Sequence, residues 1–197
     1  MASRDQILAA LRRGAPAAAP APELGGLGVR FADPVAQFAA SVVAVGGACL
    51  QVADLAAADL ALAALPQAAA ARRVVSLVPG VGRPSVELTE VADPHTLADL
   101  DLAILPGELG VAENAAVWVE GRALHHRAAF VITDHLALVV RARDIVHHMH
   151  EAYERLAGRP RGYGLFISGP SKTADIEQVL VVGAQGARTC TVLVLDA

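Results

Sequence analysis

Short apolar runs alternate along the chain with longer segments in which apolar residues recur at helical spacing. The runs are typical of buried strands, and the longer segments are typical of helices with one buried face. The predicted strands are 49–52, 73–77, 102–105, 115–119, 136–140, 165–167 and 191–195. The predicted helices are 3–13, 35–45, 54–71 with a break at Pro66, a short one at 93–94, 144–156 and 173–182. This alternation predicts an α/β fold with a mostly parallel sheet flanked by helices, in which ligands bind at the carboxyl ends of strands.

The first 30 residues differ in composition from the rest. A short predicted helix is followed by a stretch rich in alanine, proline and glycine over residues 14–28, which is typical of a linker. The length of 197 residues suits one domain. We therefore predict an N-terminal helix with a flexible linker over residues 1–30 and a single α/β domain over residues 31–197.

Composition and charge exclude several classes of protein. Hydrophobic residues make up 54% of the chain, which excludes wholesale disorder. The net charge is −4 and no cluster of basic residues stands out, so we expect no nucleic-acid partner. The uncharged stretch 35–53 contains Gln37, Ser41 and a Gly46-Gly47 pair, and is better explained as helix, turn and strand than as a membrane span. Because the apolar run at 7–11 is too short for a secretory signal, we predict a cytoplasmic protein.

Two groups of residues are candidate metal or redox sites. Cys49 and Cys190 are isolated and have apolar neighbours, which favours buried thiols over a cluster or zinc site. On the predicted helix 144–156, the side chains of His147, His150, Glu151 and Glu154 share one face that could hold a divalent metal. The opposite face is continuously apolar, so the histidines lie where a solvated polar face is expected. We therefore predict no metal site.

The segment 166–177 combines features of an anion-binding loop. A strand ends at a Gly-Pro turn, and small hydroxyl residues then lead into the predicted helix. Free N–H groups at the helix start, the hydroxyls and the ammonium of Lys172, the only lysine in the chain, would suit a carboxylate or phosphate. The candidate ligand-binding residues are Gly169, Ser171, Lys172, Thr173 and Asp175. The alternative is that the same residues, with Asp175 among them, only cap the helix.

A second candidate is Glu113, which follows a predicted strand and stands beside Asn114. A carboxylate in such a place can act as a nucleophile or a general base. The alternative is a glutamate solvated on a loop.

Together these segments resemble a known family. Gly169-Pro-Ser-Lys-Thr-Ala-Asp-Ile-Glu177, followed by Gly183-Ala-Gln-Gly186, resembles the C-terminal signature of the lactate-utilization protein C, or LUD-domain, family. Gly110-Val-Ala-Glu113 resembles its Gly-Ile-Ala-Glu segment, and 127–135 resembles the stretch after it. The resemblance covers roughly residues 31–196. It departs from the family pattern at Asn114-Ala115-Ala116 in place of Thr-Gly-Thr, at Gln185-Gly186-Ala187 in place of His-Gly-Pro, and in a missing proline before His135.

The resemblance implies a fold like that of the sugar-phosphate isomerase and coenzyme A transferase superfamily. It also implies a part in oxidising L-lactate to pyruvate, with iron–sulfur clusters on separate partner subunits and no cofactor on this chain. In that role Lys172 would pair with a small anionic substrate, and Ser171 and Thr173 would donate hydrogen bonds. One rival hypothesis is a stand-alone coenzyme A transferase-like or isomerase-like enzyme with Glu113 as the catalytic residue. The other is a non-catalytic regulatory or scaffold domain.

Overall fold

The computed structural model describes residues 3–16, 19–20, 26–121, 125–159, 162–173 and 180–196. The helices are α1 Ser3–Gly14, α2 Pro34–Ala44, α3 Leu55–Ala63, α4 Pro66–Ala70 and α5 Met149–Leu156. The strands are β1 Ala48–Val52, β2 Val74–Ser76, β3 Leu102–Pro106, β4 Leu109–Val111, β5 Ala116–Glu120, β6 His135–Arg141, β7 Ile145–Val146, β8 Gly164–Ile167, β9 Lys172–Thr173, β10 Val181–Val182 and β11 Thr189–Leu195. Short 3₁₀ turns occupy Leu88–Glu90, Pro94–Leu97, Arg127–Phe130 and Ala142–Asp144.

A five-stranded sheet in the order β1-β11-β6-β3-β2 forms the centre of the fold, and all its strand pairs are parallel. Its two innermost long strands, β11 and β6, are buried along almost their whole length. Continuous apolar strands are expected where both faces of a parallel sheet are covered. The predicted α/β fold with a mostly parallel sheet is therefore confirmed.

A smaller mixed sheet in the order β7-β4-β5-β8 lies beside α2 on one side of the parallel sheet. Alternate residues of β11 show this layering, since Val192 and Val194 face α2 and the mixed sheet, and Leu193 and Leu195 face α3. Helix α5 covers the outer face of the mixed sheet. The layers therefore run α3, parallel sheet, α2 with mixed sheet, and α5.

Capping residues and proline set the helix ends. The Asp33 carboxylate accepts hydrogen bonds from the first backbone amides of α2, and Asp54 does the same for α3 through the Ala57 amide at 2.8 Å. Pro66 separates α3 from α4, because proline is favoured at the first position of a helix and not in its interior. Helix α1 is present as predicted, and it has no buried residue.

The predicted helix 144–156 is wrong in its first half. Ile145 and Val146 form strand β7, which pairs in parallel with β4, and α5 begins only at Met149. The two residues are β-branched and buried, so strand pairing satisfies their backbone groups without the rotamer restriction that a helix would impose. His148 precedes α5 as its N-cap, with its Nδ1 accepting from the Glu151 amide. Among the described residues no helix is long and apolar enough to span a bilayer.

Candidate functional site

Two loops far apart in sequence meet at one end of the mixed sheet. Strand β5 pairs on one side with β4 and on the other with β8, so the loop after β4 and the loop after β8 lie next to each other. A hydrogen bond joins them, since the Ser168 hydroxyl donates to the Asn114 carbonyl oxygen at 2.6 Å. The structure therefore brings the Glu113 loop and the Gly169 loop together, as the two candidate segments require.

Glu113 stands at the turn between β4 and β5, and its side chain is exposed. Its carboxylate accepts a hydrogen bond from the Met149 amide at 2.8 Å, which satisfies one of the unpaired N–H groups at the start of α5. The residue before it is held from the other side, because the buried Ser41 hydroxyl of α2 donates to the Ala112 carbonyl at 2.7 Å. The carboxylate is thus fixed between two helices and open to solvent.

The same turn explains one departure from the family pattern. Ala115 has φ +59°, in the left-handed region that glycine adopts most readily, and it stands where the family pattern has glycine. Asn114 closes the turn, with its side-chain oxygen accepting from the Ala116 amide at 3.1 Å. The backbone shape of this turn therefore does not need the glycine.

The second loop contains a position that only glycine fits. Gly169 has φ +72°, and a Cβ there would lie 2.8 Å from Val45 Cγ2 and 2.9 Å from the Val45 carbonyl oxygen. After it, the Ser171 amide donates to the Ala187 carbonyl at 2.8 Å, and the Ser171 carbonyl accepts from the Gly183 amide at 2.9 Å. These bonds attach the loop to the segment entering β11.

The loop therefore lies at the amino edge of the parallel sheet. The expectation that this predicted ligand loop stands at the carboxyl ends of the parallel strands is wrong. The physical reason is that β8, which leads into the loop, belongs to the mixed sheet. Its direction is set by antiparallel pairing with β5.

The predicted helix 173–182 is also wrong at both described ends. Lys172 and Thr173 form strand β9, which pairs antiparallel with Val181 and Val182 of β10. Thr173 and the two valines are β-branched, which favours a strand over a helix. The predicted anion site relied on the free backbone amides of a helix start, and no helix starts at Thr173. The predicted site residue Asp175 lies outside the described residues.

Lys172 extends across the turn between α2 and β1. Its Nζ lies 3.3 Å from the position that a Cβ on Gly46 would take. No carboxylate of the described residues forms an ion pair with it, and it stands near the C-terminal end of α2, where a positive charge is favourable. The ammonium is thus available to an anion but also complements the helix.

A cleft of about 330 Å³ opens beside these residues. Its lining combines the Gly169 loop and the segment that departs from the family pattern with a set of apolar residues. The residues of the two segments are Ser168, Gly169, Ser171, Lys172, Gln185, Gly186 and Ala187, and the apolar residues are Phe130, Val131, Leu136, Leu165, Phe166 and Ile167. Glu113 and Thr173 do not line this cleft, so the structure gathers only part of the predicted site into one cavity.

The contacts of the two cysteines and of His147 are with the folded chain itself. Burial raises the pKa of the Cys49 thiol to about 11. Burial also raises the pKa of Cys190 to about 12, against the smaller opposing effect of a backbone hydrogen bond from Gly169. His147 lies before α5 and not on it, and its Nδ1 accepts from the Phe31 amide at 3.0 Å. In the part of the chain that the structure describes, no three His, Cys, Asp or Glu side chains are grouped to hold a metal ion.

A second, larger cleft lies at the opposite, carboxyl edge of the parallel sheet. It has a volume of about 940 Å³ and contains the arginines Arg141, Arg143 and Arg159. None of these residues was predicted from the sequence. The signal that could have found them is the Arg-Ala-Arg sequence directly after the strand predicted at 136–140, at the edge where α/β sheets bind ligands.

Comparisons with known proteins agree with the fold and with the residues that suggested a family. A family model described as the LUD domain matches residues 90–195, which is more than half of the chain. The crystal structure of a DUF162 family protein from Deinococcus radiodurans superposes with a TM-score of 0.62 at 23% sequence identity, over 85% of this chain and 99% of that one. No curated protein matches.

Proposed function

The chain belongs to the LUD-domain family, and on this premise we propose that it is a component of L-lactate utilization that binds a small anionic ligand beside Lys172. In this role it supports the oxidation of L-lactate to pyruvate. The family match includes both candidate loops, and the observation that carries the proposal is the hydrogen bond from Ser168 to Asn114 that joins them.

The cleft beside Lys172 has chemistry that suits a short hydroxy acid. The ammonium of Lys172 and the hydroxyl of Ser171 can bind a carboxylate, and the apolar residues of the lining can hold a methyl group. Its volume of about 330 Å³ is at the lower end of the range for ligand pockets and leaves ample room for a three-carbon acid. We propose that Lys172 binds the carboxylate and that Ser171 donates a hydrogen bond to it.

Oxidation of lactate to pyruvate releases two protons and two electrons, so the complex needs an electron acceptor. The two cysteines of this chain are too few for an iron–sulfur cluster, which four thiolates usually hold. We therefore propose that partner subunits carry the iron–sulfur clusters and receive the electrons. This chain contributes the ligand cleft.

The test is a tagged pull-down from the native host grown on L-lactate. The eluate's visible spectrum and its lactate-dependent dye reduction are recorded for the wild type, for Lys172→Gln, and for Arg83→Gln as a control that removes an exposed positive charge elsewhere. We expect iron–sulfur absorbance with all three and dye reduction with the wild type and the control only. A colourless eluate without dye reduction would contradict the proposal, and activity retained in Lys172→Gln would remove Lys172 from it.

A stand-alone coenzyme A transferase-like enzyme is the second candidate, and the placement of Glu113 favours it. Its carboxylate is exposed and is oriented by the Met149 amide, as a nucleophile attacking an acyl thioester must be. This hypothesis predicts that the protein alone exchanges coenzyme A, moving it from an acyl thioester to a second carboxylate with release of the first acid, and that Glu113→Gln abolishes the exchange. Unchanged exchange in that variant, or none in the wild type, would reject it.

A further inference from the structure

We propose a second ligand site at the carboxyl edge of the parallel sheet, where Arg141 and Arg143 bind an organic dianion that also has an apolar body. This site is separate from the cleft beside Lys172. It does not depend on a role in lactate utilization.

The shape of the cleft supports a site of ligand size. Its volume of about 940 Å³ falls within the range of small-molecule pockets. Every strand of the parallel sheet contributes to it, either by its last residues or by the residues that follow it. The lining consists of Asp54, Leu55 and Ala56 after β1, Val78 and Pro79 after β2, Pro106, Gly107 and Glu108 from the end of β3, Val139, Arg141, Arg143 and Asp144 from the end of β6, Leu195 of β11, and Arg159.

The acidic residues of the cleft already have partners. The Glu108 carboxylate forms an ion pair with Arg159, and the Asp144 carboxylate lies 3.7 Å from the Arg155 guanidinium. The Asp54 side chain caps α3. Glu108 and Asp144 are therefore each paired with an arginine, whereas Asp54 is engaged by a backbone amide at the start of α3.

Arg141 and Arg143 are the basic residues of the cleft that have no ion-pair partner among the described residues. Within the described ranges neither guanidinium has a carboxylate within ion-pair distance, although both line the same cleft. One extends from the end of β6 and the other from the 3₁₀ turn that follows. Two guanidinium groups that line one cleft can be balanced by two negative charges, and each can bind oxygen atoms in a bidentate manner.

The remaining lining determines the class of ligand. Val78, Val139 and Leu195 give the cleft an apolar floor beside the charged rim. A ligand with a doubly charged group and an apolar body would use both, whereas inorganic phosphate would use only the arginines. A phosphate monoester of an apolar alcohol is the simplest probe with this chemistry.

The test is calorimetric titration of the full chain with phenyl phosphate, with phenol and inorganic phosphate as partial probes. We expect phenyl phosphate to bind more tightly than either, and Arg143→Gln to weaken binding about tenfold, since a hydrogen bond to a charged group is lost. The double variant Arg141→Gln/Arg143→Gln should abolish measurable binding. Arg12→Gln, which removes an equal charge from α1, should leave binding unchanged.

Three results would overturn the proposal. The first is the absence of phenyl phosphate binding to the wild type at millimolar concentration, and the second is unchanged binding in a folded double variant. If the double variant does not fold by circular dichroism, the single Arg143→Gln variant, whose residue is exposed on a turn, decides the question. Loss of binding in Lys172→Gln with Arg143→Gln unaffected would place the anion in the other cleft and reject this site. None of these titrations measures the binding of L-lactate. This proposal can therefore fail while the proposed lactate site stands, and the reverse.

Discussion

Gly169→Ala tests whether the second candidate loop is packed against the end of α2. Two costs are expected. A non-glycine residue in the left-handed region costs about 1–2 kcal/mol, partly offset by about 0.4–1 kcal/mol because alanine restricts the unfolded chain. In addition, the new Cβ would lie 2.8 Å and 2.9 Å from Val45 atoms, one of them a backbone oxygen that cannot move cheaply. Overpacking of this kind costs about 1–3 kcal/mol.

Gly158→Ala is the matched control. Gly158 has φ +77°, close to the +72° of Gly169, but no described atom lies within 4 Å of the position that a Cβ would take there. It should therefore carry only the backbone cost, and Gly169→Ala should be less stable than it by about 2 kcal/mol. That difference corresponds to a Tm lower by roughly 4–8 °C in a protein of this size. Urea unfolding followed by circular dichroism measures both variants, and equal destabilisation would refute the packing of this loop on Val45.

Local contacts give three further predictions. Native protein should not react with a thiol reagent near neutral pH, because burial raises the pKa of Cys49 to about 11 and the pKa of Cys190 to about 12. Both thiols should react after denaturation, and rapid reaction of the native protein would contradict this prediction. Ser41→Ala should cost about 1–3 kcal/mol in urea unfolding, since it leaves the buried Ala112 carbonyl without its hydrogen bond, and a neutral effect would show that the bond is dispensable. Backbone hydrogen bonds from Arg73 and Arg72 lower the pKa of Asp101 in the folded protein. The charged carboxylate therefore stabilises the fold fully at pH values above the pKa of Asp101 in the unfolded chain, and this stabilisation is lost as the pH falls through its pKa in the folded protein. Asp101→Asn should therefore be less stable than the wild type by about 1 kcal/mol at pH 7 and nearly equal to it in acid, and a difference that does not depend on pH would contradict this cause.

The central sheet could be predicted from sequence because its strands are continuous apolar runs that are buried on both faces. The caps at Asp33 and Asp54 were equally predictable, since capping depends on residues only a few positions apart. Strand β7 could not be predicted. Ile145 and Val146 fit the spacing of a helix, and only their pairing with β4, more than 30 residues earlier, makes them a strand.

In the candidate sites, too, local features could be predicted from sequence and long-range contacts could not. The chemistry of Ser171 and Lys172 was visible in the sequence, whereas the strands at the two described ends of the predicted helix depend on pairing between β9 and β10. The arginine cleft was not visible as a site. Whether Arg141 and Arg143 lack a carboxylate partner depends on which acids the fold brings near them, and that is a property of tertiary structure.

The proposed lactate site is tested most directly by calorimetric titration of the purified full chain with L-lactate, comparing the wild type with Lys172→Gln and Arg83→Gln. We predict that the wild type and the Arg83 control bind L-lactate and that Lys172→Gln weakens binding at least about tenfold, because a charge-assisted contact to the carboxylate is lost. Equal affinity in all three proteins, or no binding by the wild type, would contradict the assignment of the cleft beside Lys172 to a lactate-like anion.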